Sequence, residues 1–120
     1  VYVAPRDKHM VLEKGGDAVR VRINDDPPEN FCRPSADPLF RSAAGVFDAK
    51  ILVTVLTGMG SDGEAGSRKI AEASGTVITQ NEETRVVWGM PRAVAQAGLC
   101  SHVLPLPQIA GRLNKLAGGK

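Results

Sequence analysis

The sequence is poor in aromatic residues and in cysteine, and both scarcities narrow the classes of protein it can encode. Aromatic side chains make up 4% of the 120 residues, which leaves little surface for stacking nucleic-acid bases. Cys32 and Cys100 form no CxxC pair and are too few for a disulfide framework, so we expect two reduced thiols. The 15 basic residues are scattered among 13 acidic ones, a balance that favours neither nucleic acid nor an anionic membrane as a partner.

Long apolar segments and a signal peptide are also missing. The longest apolar run, Ile51–Leu56, is far too short to cross a bilayer. We therefore expect a cytoplasmic protein that does not insert directly into a membrane. With 42% apolar and 23% charged residues, residues 1–120 have the composition of one soluble domain. The chain opens on the apolar run Val1–Val3 without an initiator methionine, which suggests a domain truncated on its N-terminal side.

The N-terminal quarter of the sequence predicts a strand followed by an antiparallel hairpin. Val1–Ala4 is a short β-rich run that ends at a proline. Met10–Glu13 and Ala18–Ile23 are two further β-rich runs, and the second alternates apolar residues with arginines. Gly15–Asp17 lies between them and has the residues of a hairpin turn.

The remainder predicts one helix and then alternating strands and helices. Ser35 is a suitable N-cap for a helix that begins near Ala36 and ends at Gly45. The elements predicted beyond it are the strand Lys50–Leu56, the helix Asp62–Ser74, the strand Thr76–Thr79, a short apolar run Val86–Trp88, a helix from Met90 to Gly98, the strand His102–Leu104 and the helix Ile109–Leu116. The strand Lys50–Leu56 fits a central position buried on both faces. Because strand–helix–strand units recur, we expect a doubly wound α/β domain: a mainly parallel sheet with helices on both faces, plus the antiparallel hairpin.

Chemistry is expected at the glycine-rich turn Gly58–Gly63, because ligands of open α/β sheets bind beyond the carboxyl ends of the strands. One interpretation is a dinucleotide site, since the turn fits G-x-G-x-x-G and Glu82 and Glu83 follow about 20 residues later. Against it, the Asp62 carboxylate would satisfy the free helix amides itself and repel a pyrophosphate. The chain beyond Glu83 is also too short for a second mononucleotide-binding half.

Two other interpretations concern Ser61 and Asp62. Ser61 as a nucleophile would need a glycine two residues earlier, where Met59 stands, and His9 or His102 as its base. Asp62 as the carboxylate of a Ser-His-Asp triad would accept the N–H of an imidazole and stabilise the imidazolium. A plain helix N-cap is the simpler role for Asp62 on the local residues alone.

Four segments, taken in order, resemble the catalytic domain of chemotaxis protein-glutamate methylesterases, the CheB family. They are Val1–Pro5 with Asp7–Met10, Arg33–Phe40, Leu56–Gly63 and Gly89–Arg92. The resemblance covers essentially the whole chain but only the second part of that domain. Its most specific element is the block Leu-Thr-Gly-Met-Gly-Ser-Asp-Gly with Arg-Pro-Ser upstream.

The resemblance implies a hydrolase that removes methyl esters from glutamyl side chains of methyl-accepting chemoreceptors and deamidates receptor glutamines, without a cofactor. The family's catalytic aspartate falls on Asp62. Met59, with Gly58 and Gly60, falls on the border of the active site, where the family stabilises an oxyanion. The family's serine and histidine lie in segments that would precede Val1, and a receiver domain would be a further partner in the parent protein. Without that serine and histidine, we expect these 120 residues alone to be inactive.

The resemblance is incomplete at one loop and leaves alternatives open. Phe31 and Cys32 stand where the family usually has a basic pair, which bears on contacts with the receptor peptide. A domain without its upstream strands would expose a sheet edge, and we expect association through that edge. A dinucleotide-binding domain and a non-catalytic interaction module that keeps the fold are the alternative functions.

Overall fold

The computed structural model describes residues 1–56, 61–81 and 89–117. The helices and strands are β1 His9–Gly15, β2 Ala18–Asn24, α1 Ala36–Phe47, β3 Leu52–Val55, α2 Glu64–Glu72, β4 Thr76–Gln80, α3 Gly89–Gln96, β5 His102–Leu104 and α4 Leu106–Ala117. Within the described ranges, no helix has the length and apolar character needed to cross a membrane. The predicted apolar run Val86–Trp88 lies outside the described residues.

The strands form two separate sheets, which confirms the predicted α/β architecture. β3, β4 and β5 are parallel neighbours, with Leu52 opposite Thr76 and Ile78 opposite His102. Each crossover between them contains a helix, as parallel strands require. β1 and β2 form the predicted antiparallel hairpin, and its turn includes Gly16 at a φ of 64°, a conformation that glycine adopts without steric cost.

One strand prediction differs from the structure, and a second concerns a strand at the edge of the described sheet. Val1–Ala4 forms no strand, and Val1, Tyr2 and Val3 are exposed. A strand needs a hydrogen-bonded neighbour, and within the described residues this segment has none. Among the described strands β3 pairs only with β4, so the central position expected for it stays a prediction for the complete sheet. Val53 and Val55 are buried, whereas Leu52 and Thr54 are half-buried.

Several helix boundaries also differ, three of them with a bearing on the packing or the site. α1 continues past Gly45 to Phe47, since one glycine inside a helix costs only about 1 kcal/mol. Asp48 follows as the C-cap of α1. It adopts a positive φ of 52°, and its N–H donates to the carbonyl oxygen of Ala44. α2 begins at Glu64 rather than at Asp62, and α4 begins at Leu106, three residues before the predicted start.

The core lies between the parallel sheet and the helices that pack on it. Its buried apolar residues are Ala44, Val53, Val55, Ile70, Val77 and Val94, which come from α1, β3, α2, β4 and α3. In α2, Ile70 is buried but the apolar Ala65 is exposed. Gly66 and Ser67 are buried instead, so α2 presents its smallest residues to its neighbours.

Gly66 brings the N-terminal turns of α1 and α2 into close contact. A Cβ atom at this position would lie 2.6 Å from Cβ of Phe40 and 3.0 Å from Cα of Asp37. The obstructing atoms belong to the backbone and the first side-chain carbon of α1, which cannot rotate away. Any larger residue at position 66 must therefore separate the two helices.

We predict that Gly66→Ala lowers the free energy of unfolding by about 1–3 kcal/mol, the usual cost of overpacking a close contact. Gly45→Ala is the matched control, because it also lies inside a helix but has no atom within 4 Å of the added methyl group. It should raise stability by about 0.5–1 kcal/mol through helix propensity alone. Urea denaturation of the two variants measures both changes, and equal changes of the same sign would contradict the close contact.

Candidate functional site

Asp62 lies in the connection from β3 to α2, beyond the carboxyl end of the strand, and is only 5% exposed. Its carboxylate does not cap the helix that follows it in sequence, because Gly63 occupies the N-cap of α2. It caps α1 instead. Oδ2 accepts a hydrogen bond from the Ala36 amide at 2.7 Å, and Oδ1 accepts one from the Asp37 amide at 3.3 Å. The simple capping role is thus real, but it acts on a different helix from the expected one.

Ser35 adds a third donor to the same carboxylate. Its hydroxyl lies 2.5 Å from Oδ1 of Asp62 and is buried with it. A hydroxyl donating to an ionised carboxylate typically makes a bond this short. Together with the positive end of the α1 dipole, these donors replace the water that Asp62 loses on burial.

Asp37, in the first turn of α1, accepts hydrogen bonds from the start of α2. Its Oδ1 accepts hydrogen bonds from the amides of Gly63 at 3.1 Å and Gly66 at 2.7 Å, and its Oδ2 accepts one from the Asn30 side chain at 2.7 Å. Asp37 is 2% exposed. Each helix therefore has N-terminal amides satisfied by an aspartate that belongs to the start of the other, an arrangement we call the reciprocal caps. Sequence reasoning missed this contact of Asp37 with the start of α2.

His9 serves the structure of the site and not its chemistry. It is 1% exposed, and the amide of Ser35 donates to its Nδ1 at 3.2 Å. Its proton must then be on Nε2, which lies 2.9 Å from the carbonyl oxygen of Pro27. Both ring nitrogens are engaged, so His9 has no free nitrogen to offer Ser61 as a base.

His102 is not brought to Ser61 either. It opens β5 opposite Ile78, two strands away from the strand that leads to Ser61. Among the described contacts, no hydrogen bond joins the Ser61 side chain to a histidine. The structure therefore gives no support to Ser61 as an activated nucleophile.

The loop that differs from the family pattern forms a tight turn beside the reciprocal caps. Glu29 and Cys32 exchange backbone hydrogen bonds of 3.1 and 2.9 Å, with Asn30 and Phe31 at positive φ between them. The Phe31 side chain is fully exposed. Arg41 donates two bonds of 2.7 and 2.6 Å to the Glu29 carboxylate, and this pairing holds the pKa of Glu29 below its usual value.

Cys32 is close enough to the two buried aspartates to respond to their charges. Burial raises the pKa of its thiol above the usual 9.0, and the negative charges of Asp62 and Asp37 raise it further. Burial also raises the pKa of Cys100, where a hydrogen bond with Thr79 acts in the opposite direction. Both thiols are free.

Several predicted site residues lie outside the described residues. They are Gly58, Met59 and Gly60 of the glycine-rich turn, and Glu82 and Glu83 of the dinucleotide interpretation. Over residues 1–56, 61–81 and 89–117, no group of three or more His, Cys, Asp or Glu side chains is placed to hold a metal ion.

An apolar groove follows the open edge of the parallel sheet. It has a volume of about 420 Å³ and lies between the hairpin, α1 and β3. Its lining residues are Leu12, Leu39, Phe40, Ala43, Phe47, Lys50, Ile51, Leu52, Val53 and Thr54. The groove therefore combines apolar side chains with the unpaired backbone of an edge strand.

Known proteins are similar to this chain in sequence and in fold. The family model for the CheB methylesterase matches residues 1–113. A protein-glutamate methylesterase/protein-glutamine glutaminase 1 of Rhodospirillum rubrum is 57% identical over 117 residues, which are 98% of this chain and 30% of that protein. Its counterpart in Paramagnetospirillum magneticum is 53% identical, over 98% of this chain and 31% of that protein. The chain thus spans about 30% of the length of these relatives.

The crystal structure of the Thermotoga maritima CheB methylesterase catalytic domain superimposes on the chain with a TM-score of 0.93 and 36% sequence identity. The match covers 96% of this chain and 61% of that domain. The remainder of the solved domain has no counterpart among these 120 residues.

We predict that Asp62→Asn accelerates alkylation of Cys32 by iodoacetamide at pH 8. Only the thiolate reacts with iodoacetamide. The Asp62 charge raises the pKa of the Cys32 thiol, so its removal lowers that pKa and increases the thiolate fraction. Cys100 is the internal control, since the Asp62 charge does not act on its thiol. Mass spectrometry of the two cysteine peptides follows both rates. An equal acceleration at both cysteines would indicate a loosened fold and contradict the electrostatic contact.

Proposed function

The chain belongs to the CheB methylesterase family, and we propose that the protein containing it hydrolyses glutamyl methyl esters and deamidates glutamines on methyl-accepting chemoreceptors. The observation that carries the proposal is the buried Asp62 carboxylate beyond the end of β3, held by three hydrogen-bond donors from α1 and its N-cap. A carboxylate so held is suited to orienting a histidine in a Ser-His-Asp triad.

Asp62 acts in this proposal through a histidine of the same catalytic domain. It accepts the N–H of the imidazole, fixes the tautomer, and stabilises the imidazolium that forms when the imidazole takes the proton of the serine hydroxyl. The serine oxygen attacks the ester carbonyl, and the imidazolium returns the proton to the departing methanol. Water then hydrolyses the acyl-enzyme with the same base. With a glutamine substrate the leaving group is ammonia.

The glycine-rich turn supplies the oxyanion side of the site in this proposal. The family resemblance assigns that border to Met59, flanked by Gly58 and Gly60. Gly63, the last residue of that motif, donates its amide to Asp37 on the helix that also holds Asp62. Electrostatic stabilisation of this kind depends on donors that are fixed before the reaction.

The open edge of β3 and the adjoining groove are the proposed contact for the rest of the catalytic domain. The preceding strands of the domain would continue the sheet beyond β3 and cover the apolar groove. The serine and histidine of the triad would come from that segment. A receiver domain of the same parent protein is the proposed regulatory partner, and the cytoplasm, where the receptor's signalling part is accessible, the proposed location.

A dinucleotide-binding function has less physical support. A pyrophosphate would need the free amides at the start of α2, and the amides of Gly63 and Gly66 already donate to Asp37. The nearby Asp62 carboxylate adds a repelling charge. No described feature favours a purely non-catalytic interaction module over the esterase.

A chimeric enzyme tests the proposal. The matched segment of the Rhodospirillum rubrum relative is replaced by this chain, and release of methanol from a methylated chemoreceptor is measured. We predict that the chimera is active and that Asp62→Asn lowers kcat by about 10,000-fold, the effect of losing the orienting carboxylate of a triad. Asp26→Asn is the matched control, because Asp26 is exposed and no described hydrogen bond joins its side chain to Asp62 or Asp37. This chain without the rest of the domain should release no methanol.

The possible failures of this experiment have different meanings. If the chimera is active and Asp62→Asn retains full activity, Asp62 is not the triad carboxylate. If a folded chimera is inactive on a receptor that the relative demethylates, the esterase function itself is wrong for this chain. Thermal unfolding of each variant separates both results from a loss of the fold.

A further inference from the structure

Ser35 is the helix N-cap whose hydroxyl also contacts Asp62. We propose that Ser35 is a positioning residue: its hydroxyl fixes Oδ1 of Asp62, so that Oδ2 is presented to the N–H of the triad histidine. This inference rests on the proposed function and names a residue through which the site geometry is maintained.

The distances around Ser35 favour Asp62 as the main partner of its hydroxyl. The Ser35 oxygen lies 2.5 Å from Oδ1 of Asp62 but 3.4 Å from the Asp37 amide that an N-cap side chain normally accepts. The Asp37 amide also donates to Oδ1 of Asp62 at 3.3 Å, and the Ala36 amide donates to Oδ2 of Asp62. The Asp62 carboxylate is therefore the main cap of α1. The short, charge-assisted bond to Asp62 is the strongest contact that the hydroxyl makes.

The backbone of Ser35 is held in place by a buried neighbour. Its amide donates to Nδ1 of His9, and Nε2 of His9 is anchored on the carbonyl of Pro27. Ser35 and His9 are 4% and 1% exposed. The hydroxyl therefore reaches Asp62 from a fixed position, as a positioning group must.

The hydrogen-bond capacity of Asp62 determines which oxygen can receive an imidazole. An ionised carboxylate offers about four acceptor positions, two on each oxygen. Ser35 and the Asp37 amide use both positions on Oδ1, whereas the Ala36 amide is the one described donor to Oδ2. Within the described part of the chain, Oδ2 is thus the oxygen with room for a further donor.

Loss of the Ser35 hydroxyl would leave Oδ1 with one long amide contact. The carboxylate could then rotate about its Cβ–Cγ bond, and its oxygens would no longer have distinct roles. Substrate contacts would be unaffected, because the buried Ser35 is separated from the reacting carbonyl by Asp62 and the histidine. The expected signature is a lower kcat with an unchanged KM.

The test uses the active chimera and a double-mutant cycle. Ser35→Ala should lower kcat by about 10- to 100-fold, as expected for one lost hydrogen bond to a charged group, and Ser35→Thr should restore most of it. In the Asp62→Asn background, Ser35→Ala should change kcat by less than about threefold, because its partner is already gone.

Ser42→Ala provides the structural control. The Ser42 hydroxyl is half-buried on the same helix, accepts from the Leu12 amide and donates to the Leu39 carbonyl, each at 2.9 Å. Its removal should lower thermal stability without changing kcat. Thermal unfolding of all variants shows whether each is folded at the assay temperature.

Two outcomes overturn the inference while leaving the proposed function intact. One is an unchanged kcat for folded Ser35→Ala when Asp62→Asn is strongly impaired. The other is an equal loss in both backgrounds, which would mean that Ser35 acts independently of Asp62. If Asp62→Asn itself has no effect in the active chimera, Asp62 is not the triad carboxylate, and this inference fails together with that assignment.

Discussion

The arrangement of the candidate site depends on two helix N-termini, each of which is capped by an aspartate from the start of the other helix. Asp62 accepts the first amides of α1, and Asp37 accepts those of α2. Neither aspartate could be buried at so little exposure without these donors, because an uncompensated buried charge is very costly. The same bonds hold the starts of the two helices together and fix Gly63 and Gly66 at the start of α2. Stability and site geometry therefore depend on one set of contacts.

Steric fit reinforces this electrostatic exchange. The absence of a side chain at Gly66 lets the first turn of α2 approach α1 closely enough for Asp37 to reach its amides. The tight turn at residues 29–32 contributes from the other side, since Asn30 donates to the second oxygen of Asp37. Asp37 thus accepts from donors in two segments of the chain, the turn at residues 29–32 and the start of α2. The loop that departs most from the family pattern is connected to the site through this residue.

Local sequence patterns predicted the elements well and their partners poorly. The hairpin, the parallel strands and the Ser35 cap follow from alternation, burial and capping preferences that act within a few residues. The neighbours of β3 could not be predicted in the same way, because strand order is a property of the assembled sheet and not of the residues of one strand. Asp62 was found through its motif, but the helix it caps lies 26 residues upstream. No local signal indicates that contact, although two aspartates at successive helix starts, followed by Gly63 and Gly66, are consistent with it.

The reciprocal caps also have a consequence for how the domain folds. Each cap joins residues 25–29 positions apart, so neither α1 nor α2 receives its N-terminal stabilisation until the two helices have docked. Helix formation in this region is therefore coupled to tertiary assembly instead of preceding it. A nascent or partly unfolded chain would lack an organised Asp62.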